Sequence, residues 1–522
     1  MNLFGVLETA AQRFPDKVAI RFEDLSGARA IAYGELHEQA SRFSGILFHA
    51  GVRKGDRVAV FLANRPEYPI VTFGAWRIGA VPVLLSSAMK KEKVQEYVEN
   101  SEARILVTSE DLTAEASTLP GTSLHELFVI GTSPAGGEQS LRSQFQQFKG
   151  YDAEPPQKLD LDSNGPALIL YTSGTTGEQK GAVLSHGNVS SNIQATQHHT
   201  GMESDDVIIC FLPLFHCFGQ NFVLNTTLLA GATLVLHKRF EVSEILRSLV
   251  TNKVTMFFSI PPNYRLLLGL DDISAFDSVR YFFTAADTMP PQIVREWKQK
   301  YGRQIWEGWG LTETSPFATY NHDTYYRLGS VGTPIIHVEV RIAPVANIGN
   351  IEKEFLPPGE PGEIAVRGPN VFQGYFNDPE ATKRVFREGW FLTGDIGKLD
   401  EDGYLYIVDR KNDRIKVSGF SVWPREIERF LLEHFAGRLE DVAVVAVPDR
   451  ERGEMPLAYV VTRDQTLTEI EIAEACRLHL AGYQRLKKVE YVTQIPKTPT
   501  GKILKGELRK WQTREDVHHG GP

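Results

Sequence analysis

Cysteine is scarce in this chain: three in 522 residues, too few for a disulfide framework. Cys210, Cys217 and Cys476 form no CxxC pair, and no cysteine–histidine cluster has zinc spacing. Cys210 and Cys217 lie among apolar residues and are expected to be buried thiols. So sparse a use of cysteine fits a reducing cytoplasm. Positive charge is not in surplus either. The 56 lysines and arginines face 65 acidic residues, a net charge of -9. That argues against nonspecific nucleic-acid binding, which needs a basic surface. It leaves room for a local basic pocket around a phosphate. Long apolar runs are also missing. Residues 73–85 are interrupted by Arg77 and Pro82 and are too short to span a bilayer, so no integral membrane protein is expected. Residues 1–16 set Leu3, Val6, Leu7 and Phe14 against Glu8, Arg13 and Asp16, the spacing of an amphipathic surface helix and not of a signal peptide.

A chain of this length needs more than one core. Over the first four hundred residues, short β-branched runs alternate with helical patterns. Strands are expected at 57–62, 81–85, 127–130, 208–212 and 254–260. Such alternation predicts an α/β fold, with parallel sheets covered by helices on both faces. From 338 to 367 the pattern changes to short strands broken by proline and glycine, as in a small antiparallel barrel or sheet. A boundary is expected at the polar run 409–413. Beyond it lie a helix at 425–432, strands at 441–447, 458–462 and 489–492, and a helix at 469–479, a compact α+β unit. The division is 1–410 and 411–522.

The richest stretch is 171–181, Tyr-Thr-Ser-Gly-Thr-Thr-Gly-Glu-Gln-Lys-Gly, directly after a predicted buried strand at 167–171. Glycines Gly174 and Gly177 let backbone N–H groups face an anion. Thr172, Ser173, Thr175 and Thr176 add hydroxyls, and Lys180 adds a mobile charge. The spacing is not that of the P-loop, which needs Gly-Lys-Ser/Thr in succession. Other blocks follow in order: 211–219 with His216, 284–290, 306–314, 388–395, 409–426 and 496–503.

Together these blocks resemble the adenylate-forming enzymes: acyl- and aryl-CoA synthetases, firefly-type luciferases and peptide-synthetase adenylation domains. The resemblance spans essentially the whole chain. It implies a large N-terminal AMP-binding domain of helix-flanked sheets plus a small barrel, with a small mobile C-terminal domain. It also implies roles. Thr172 to Gly177 and Lys180 would grip the phosphates of ATP. Trp309, between Gly308 and Gly310, would stack on adenine. Ala286 and Asp287 would border that base. Thr312 would hold the α-phosphate, and Glu313 would hold Mg²⁺. Asp395 and Arg410 would reach the ribose, a bidentate carboxylate suiting a vicinal diol. His216 would orient the substrate carboxylate, and Lys502 would bridge it to the α-phosphate. Phe215, Phe218, Ile260, Ala285 and Phe317, with His216, would line the acyl pocket. Asn412 takes the hinge position. Lys416, Ser418, Gly419 and Phe420 match the segment lining the pantetheine tunnel. The chain departs from the common pattern at Gln179, Ala285, Trp309 and Asn412.

The implied chemistry is activation of a fatty or aromatic carboxylic acid by Mg·ATP, then transfer of the acyl group to CoA, with AMP and pyrophosphate released. One alternative keeps adenylation but passes the acyl group to an acyl carrier protein. Another is a nucleotide-binding protein or kinase, which would release ADP.

Overall fold

The computed structural model describes residues 2–24, 27–116, 124–130, 157, 159–172, 180–271, 274–322, 325–345, 351–464, 466–498 and 502–511. All that follows concerns these. The N-terminal helix is Leu3–Arg13, capped by Asn2 Oδ1 on the Gly5 N–H. Its apolar face, led by Leu3, Phe4, Val6 and Leu7, is buried in the large core, which pins this helix to the body of the protein.

Two large sheets carry the first part of the chain. One runs Gly374–Tyr375, Lys180–Ser185, Pro166–Thr172, Val81–Leu85, Arg57–Phe61, Ala103–Ser109, Glu126–Ile130. The central strands are parallel and apolar on both faces; every residue of Val81–Leu85 is buried. That is the signature of a sheet covered on both sides. The other has the order Thr333–Pro334, Phe317–Tyr320, Ile305–Gly310, Tyr281–Thr284, Met256–Ser259, Val207–Cys210, Thr233–Leu236, Val18–Asp24, Gly27–Ala32. Its middle is parallel and its edges antiparallel.

Two strand expectations shrink. The run 254–260 yields Met256–Ser259, because Pro261 and Pro262 start a helix and Ile260 becomes its cap. The run 208–212 yields Val207–Cys210, after which Leu212 turns its carbonyl to accept from Asn64 Nδ2 at 2.9 Å.

Residues 339–410 form an antiparallel sheet of Glu339–Ala343, Gly362–Arg367, Trp390–Leu399, Phe386–Arg387 and Leu405–Arg410. The small C-terminal domain has its own sheet and its own core. Strands Ile415–Val417, Phe420–Val422, Leu439–Asp449, Gly453–Thr462 and Lys488–Tyr491 pack with helices Pro424–His434, Glu469–His479 and Lys505–Trp511. The core built on Ile415, Ile427, Leu431, Val444, Val460 and Leu508 is distinct from the large one. Between the two lies a single turn of 3₁₀-helix, Lys411–Asp413.

Candidate active site

The site begins where strand Ile305–Gly310 leaves its sheet. Gly310 cannot carry a side chain: a Cβ there would lie 1.6 Å from the Pro316 carbonyl oxygen. At Gly308 it would meet the Phe317 ring at 2.6 Å and the Thr319 oxygen at 2.8 Å. The two glycines let the strand press against its antiparallel neighbour and leave Trp309 between them as the one large group. The indole Nε1 donates to Asp395 Oδ2 at 3.1 Å. Asp395 Oδ1 faces Arg410 Nε at 3.3 Å. This pairing follows from the sheet register, in which Asp395 and Arg410 are direct cross-strand partners. Ala286, at φ 76, and Asp287 close the opposite wall. Sequence separation hides this cluster; strand register and the Trp309–Asp395 bond assemble it.

Lys502 enters the same pocket from the small domain. Burial, reinforced by the Arg410 charge, lowers its pKa to about 8 against the opposing pull of Asp395 and Asp287. A lysine held this way remains cationic near neutrality but is weakly hydrated, so it is well suited to meet anions. His216 is near enough to feel the Lys502 charge. The Phe218 N–H donates to His216 Nδ1 at 3.2 Å, leaving the ring proton to Nε2. Burial, with the neighbouring Lys502 charge, pushes this histidine down to about 4, so it acts as a neutral hydrogen-bonding group. Cys217 Sγ lies 3.8 Å from His216 Nδ1 and 3.6 Å from Thr312 Oγ1, which brings the histidine and Thr312 together. Burial pushes the Cys217 thiol up to about 12, so it is a packing group and not a thiolate.

Thr312 and Glu313 sit in the 3₁₀ turn Thr312–Thr314 behind the Trp309 strand. Glu313 is buried, and its pKa is raised by that burial. The Tyr375 hydroxyl donates to Glu313 Oε1 at 3.0 Å, and Lys180 Nζ lies 5.2 Å from the Tyr375 ring centre. Tyr375 and Lys180 come from neighbouring strands of one sheet. No group of three or more His, Cys, Asp or Glu able to hold a metal occurs among the described residues. Glu313 alone fits a hard cation that takes its other oxygens from phosphate and water, the habit of Mg²⁺. Thr172 ends its strand opposite Lys180, and the residues between them, with Ser173, Gly174, Thr175, Thr176 and Gly177, lie outside the described residues.

Adjoining the Lys502 pocket is an apolar cavity lined by Pro213, His216, Phe218, Gly219, Ile260 and Ala286. Ala286 borders both spaces. The structure does not bring every expected acyl-pocket residue here. Phe317 is buried in an aromatic cluster with Phe222, Phe283 and Tyr320, at centroid distances of 5.0, 6.1 and 6.1 Å. Its ring fills the space above Gly308. Phe215 and Ala285 are half-buried against the large core and line neither space.

The hairpin bearing Lys416, Ser418, Gly419 and Phe420 also lies outside both spaces. Ser418 and Gly419 make its turn at φ 48 and 88. Phe420 stacks on Tyr483 with ring centres 4.8 Å apart. Asn412 sits exposed in the turn between the two domains. Tyr375 on Glu313, and Arg425, Val331 and Ile407 on the Lys502 pocket, escape the sequence reading. Arg425 lies in the block 409–426 but is given no role there, and the other three lie outside every block.

Comparison with known proteins gives a consistent result. A family model described as AMP-binding enzyme matches residues 7–376, and one described as AMP-binding enzyme C-terminal domain matches 426–502. The chain is 33% identical over 505 residues to a feruloyl-CoA synthase of Amycolatopsis sp, covering 96% of this chain and 97% of that protein. It is 31% identical over 547 residues to a long-chain-fatty-acid–CoA ligase of Salmonella typhimurium, covering 97% and 94%. Among solved structures, ATP-bound MatB from Rhodopseudomonas palustris superimposes with a TM-score of 0.89 at 30% identity, covering 98% of this chain and 99% of that one. The apo form of that protein gives 0.77 at 31% identity, covering 98% and 99%. MenE from Bacillus subtilis with its acyl-adenylate gives 0.84 at 27% identity, covering 98% of each. With its pocket of Trp309, Asp395, Arg410 and Lys502 and these matches along its length, the chain belongs to the adenylate-forming AMP-binding enzymes and is an AMP-forming acid–thiol ligase.

Proposed function

We propose that this ligase, which activates a carboxylic acid with ATP and joins it to CoA, takes a fatty or aromatic acid without a second charged group. The observation that carries this is the cavity beside the Lys502 pocket: among the described residues His216 is its single ionisable lining residue, and it is held neutral. A second carboxylate would be buried there without a cation, at a cost of several kcal/mol.

In the first half-reaction a carboxylate oxygen attacks the α-phosphorus of ATP, and the bond to the bridging oxygen breaks to release pyrophosphate. The difficulty is electrostatic, because an anion must approach a polyanion. Lys502 lines the nucleotide pocket, its charge is felt by His216 of the acid cavity, and it offsets both charges. The His216 Nε2–H orients the carboxylate, and Thr312 holds an α-phosphate oxygen. Lys180 steadies the outer phosphates. Mg²⁺ on Glu313 would supply charge neutralisation there. Trp309 stacks on the base while Asp395 and Arg410 hold the ribose.

In the second half-reaction the thiol of CoA attacks the acyl carbon, and the carbon–oxygen bond to AMP breaks. We place the domain division at 410/411 and the pivot at Asn412. Rotation there withdraws Lys502 and brings Ser418, Gly419 and Phe420 to the acyl carbon. The better superposition on an ATP-bound relative than on its apo form supports reading the present arrangement as the adenylating one.

The test is a panel of fatty, aromatic and dicarboxylic acids scored for pyrophosphate release and acyl-CoA formation in one preparation. Apolar monocarboxylic acids are expected to lead in both readouts. A dicarboxylic acid as the best substrate would overturn the pocket reading. Transfer only to a phosphopantetheinyl protein would overturn CoA as the acceptor.

A further inference from the structure

Arg425 lies in the first turn of the small domain's helix Pro424–His434, yet its guanidinium ends on the large domain. Nη2 donates to Asp287 Oδ1 at 2.8 Å, and Nη1 donates to Thr288 Oγ1 at 2.9 Å. The Arg425 backbone N–H donates to Asp409 Oδ2 at 2.8 Å, so the base of the side chain is fixed as well as its tip. The side chains of Arg425 and Asp287 are 28% and 30% exposed, too enclosed for a loose surface pair. Arg425, Asp287, Thr288 and Lys502 all border one pocket. Arg425 and Lys502 belong to the same small domain, and Asp287 and Thr288 belong to the loop after strand Tyr281–Thr284. A planar guanidinium with two fixed acceptors defines both distance and angle between the parts it joins. A further bond crosses between the domains, from Arg265 Nη1 to the Glu440 carbonyl at 2.7 Å. It is exposed and grips only backbone.

We propose that Arg425 is a positioning residue: its fork on Asp287 and Thr288 docks the small domain so that Lys502 reaches the pocket. The fork must let go before the hairpin of Gly419 and Phe420 can take Lys502's place. This rests on the two-arrangement reading above. The fork is a clamp on the adenylating pose and acts on the chemistry only through Lys502.

Docking can be read without any substrate. The chain's own three cysteines are buried, so dyes go on Glu92→Cys and Glu451→Cys, exposed positions on the two domains. Energy transfer between them in the parent protein should report one dominant population. Arg425→Ala and Asp287→Asn should each shift it, and the double variant should shift it no further than the larger single change. In the accepted acid's assay, each change should slow pyrophosphate release about tenfold more than it slows thioester formation from presupplied acyl-adenylate. If Arg425→Ala does not fold, Arg425→Lys carries the test, because an ammonium cannot span both acceptors. Unchanged energy transfer in folded variants would overturn the clamp, as would equal loss of both half-reactions. If the parent protein adenylates no acid, the proposed function fails, and energy transfer still decides whether the fork docks the domain.

Discussion

Lys502 and Phe420 ride on one small domain, held by one core, yet they meet opposite surroundings. Lys502 is enclosed in the nucleotide pocket, where its pKa falls to about 8. Phe420 is 58% exposed on a hairpin that does not border that pocket. An aromatic ring left in water is unremarkable by itself. Its company is informative: a turn with two residues at positive φ and a stacked Tyr483 give a preformed apolar edge. The two edges belong to one domain with its own core. In our reading, one arrangement serves adenylation and the other serves thioester formation.

The largest expected effect comes from removing the enclosed edge. Lys502→Ala should slow adenylation by about 10²–10³, the loss typical of one charge-stabilising group. Thioester formation from presupplied acyl-adenylate should survive, because in the proposed second arrangement Lys502 is out of the site. Equal loss in both assays would break the contrast between the edges. The pH profile sharpens it. The lysine must be cationic, and its pKa lies below the usual lysine value, so charge is present below about 8 and lost as pH rises through it. Adenylation kcat/KM in the free enzyme should therefore fall above about pH 8, and Lys502→Ala should lack that limb.

A smaller effect is expected at Asn412, the proposed pivot. Asn412→Pro fixes φ near about −65° and removes a backbone N–H, which should hold the turn in one state. Pyrophosphate exchange should persist while acyl-CoA yield falls by tenfold or more, on the order of 1.4 kcal/mol at the rotation step. A folded variant making acyl-CoA at the parent rate would move the pivot away from Asn412.

Much of this site is legible in the sequence, for a physical reason. Glycines at 308 and 310 are demanded by close strand approach, and they frame the one aromatic that borders the pocket. Asp395 follows a glycine at φ 74, and Lys502 sits in a Pro/Gly-rich segment; such local constraints leave local marks. The fold class is legible because buried parallel strands must be apolar on both faces. Other features depend on contacts that sequence does not order. Arg425 is 138 residues from Asp287, and only packing of the small domain brings them together. Tyr375 reaches Glu313 through the pairing of a two-residue strand with Lys180–Ser185. Phe317 is expected at the substrate but serves the core, because Gly308 leaves a space that its ring fills. A composition of aromatics says that rings cluster; it does not say which ring faces the cavity.

Within the nucleotide pocket, Trp309 offers a finer test. Trp309→Ala should raise the KM for ATP more than that for the acid, since stacking on a base is worth about 1–3 kcal/mol. It also frees Asp395 Oδ2 from the indole N–H. Trp309→Phe keeps a ring and drops that donor, so it should recover most of the ATP affinity. A raised acid KM with ATP unchanged would place the indole in the acyl cavity instead.

The smallest effect is expected at the exposed edge, and it bears directly on the contrast. Phe420→Ala removes a ring that stacks on Tyr483 at 4.8 Å and otherwise faces water. Little burial is lost, so thermal stability should change by no more than about 0.5–1.5 kcal/mol, the range for one aromatic pair. Adenylation should be untouched, because neither cavity is bordered by this residue in the present arrangement. The change should appear in the second half-reaction alone, as a KM for CoA raised by about two- to tenfold, the equivalent of one lost aromatic contact. Steady-state acyl-CoA formation at varied CoA, beside pyrophosphate exchange without CoA, separates these outcomes. Slower pyrophosphate exchange with an unchanged CoA KM would mean that the hairpin steadies the adenylating pose, and the two edges would then serve one half-reaction instead of dividing two between them.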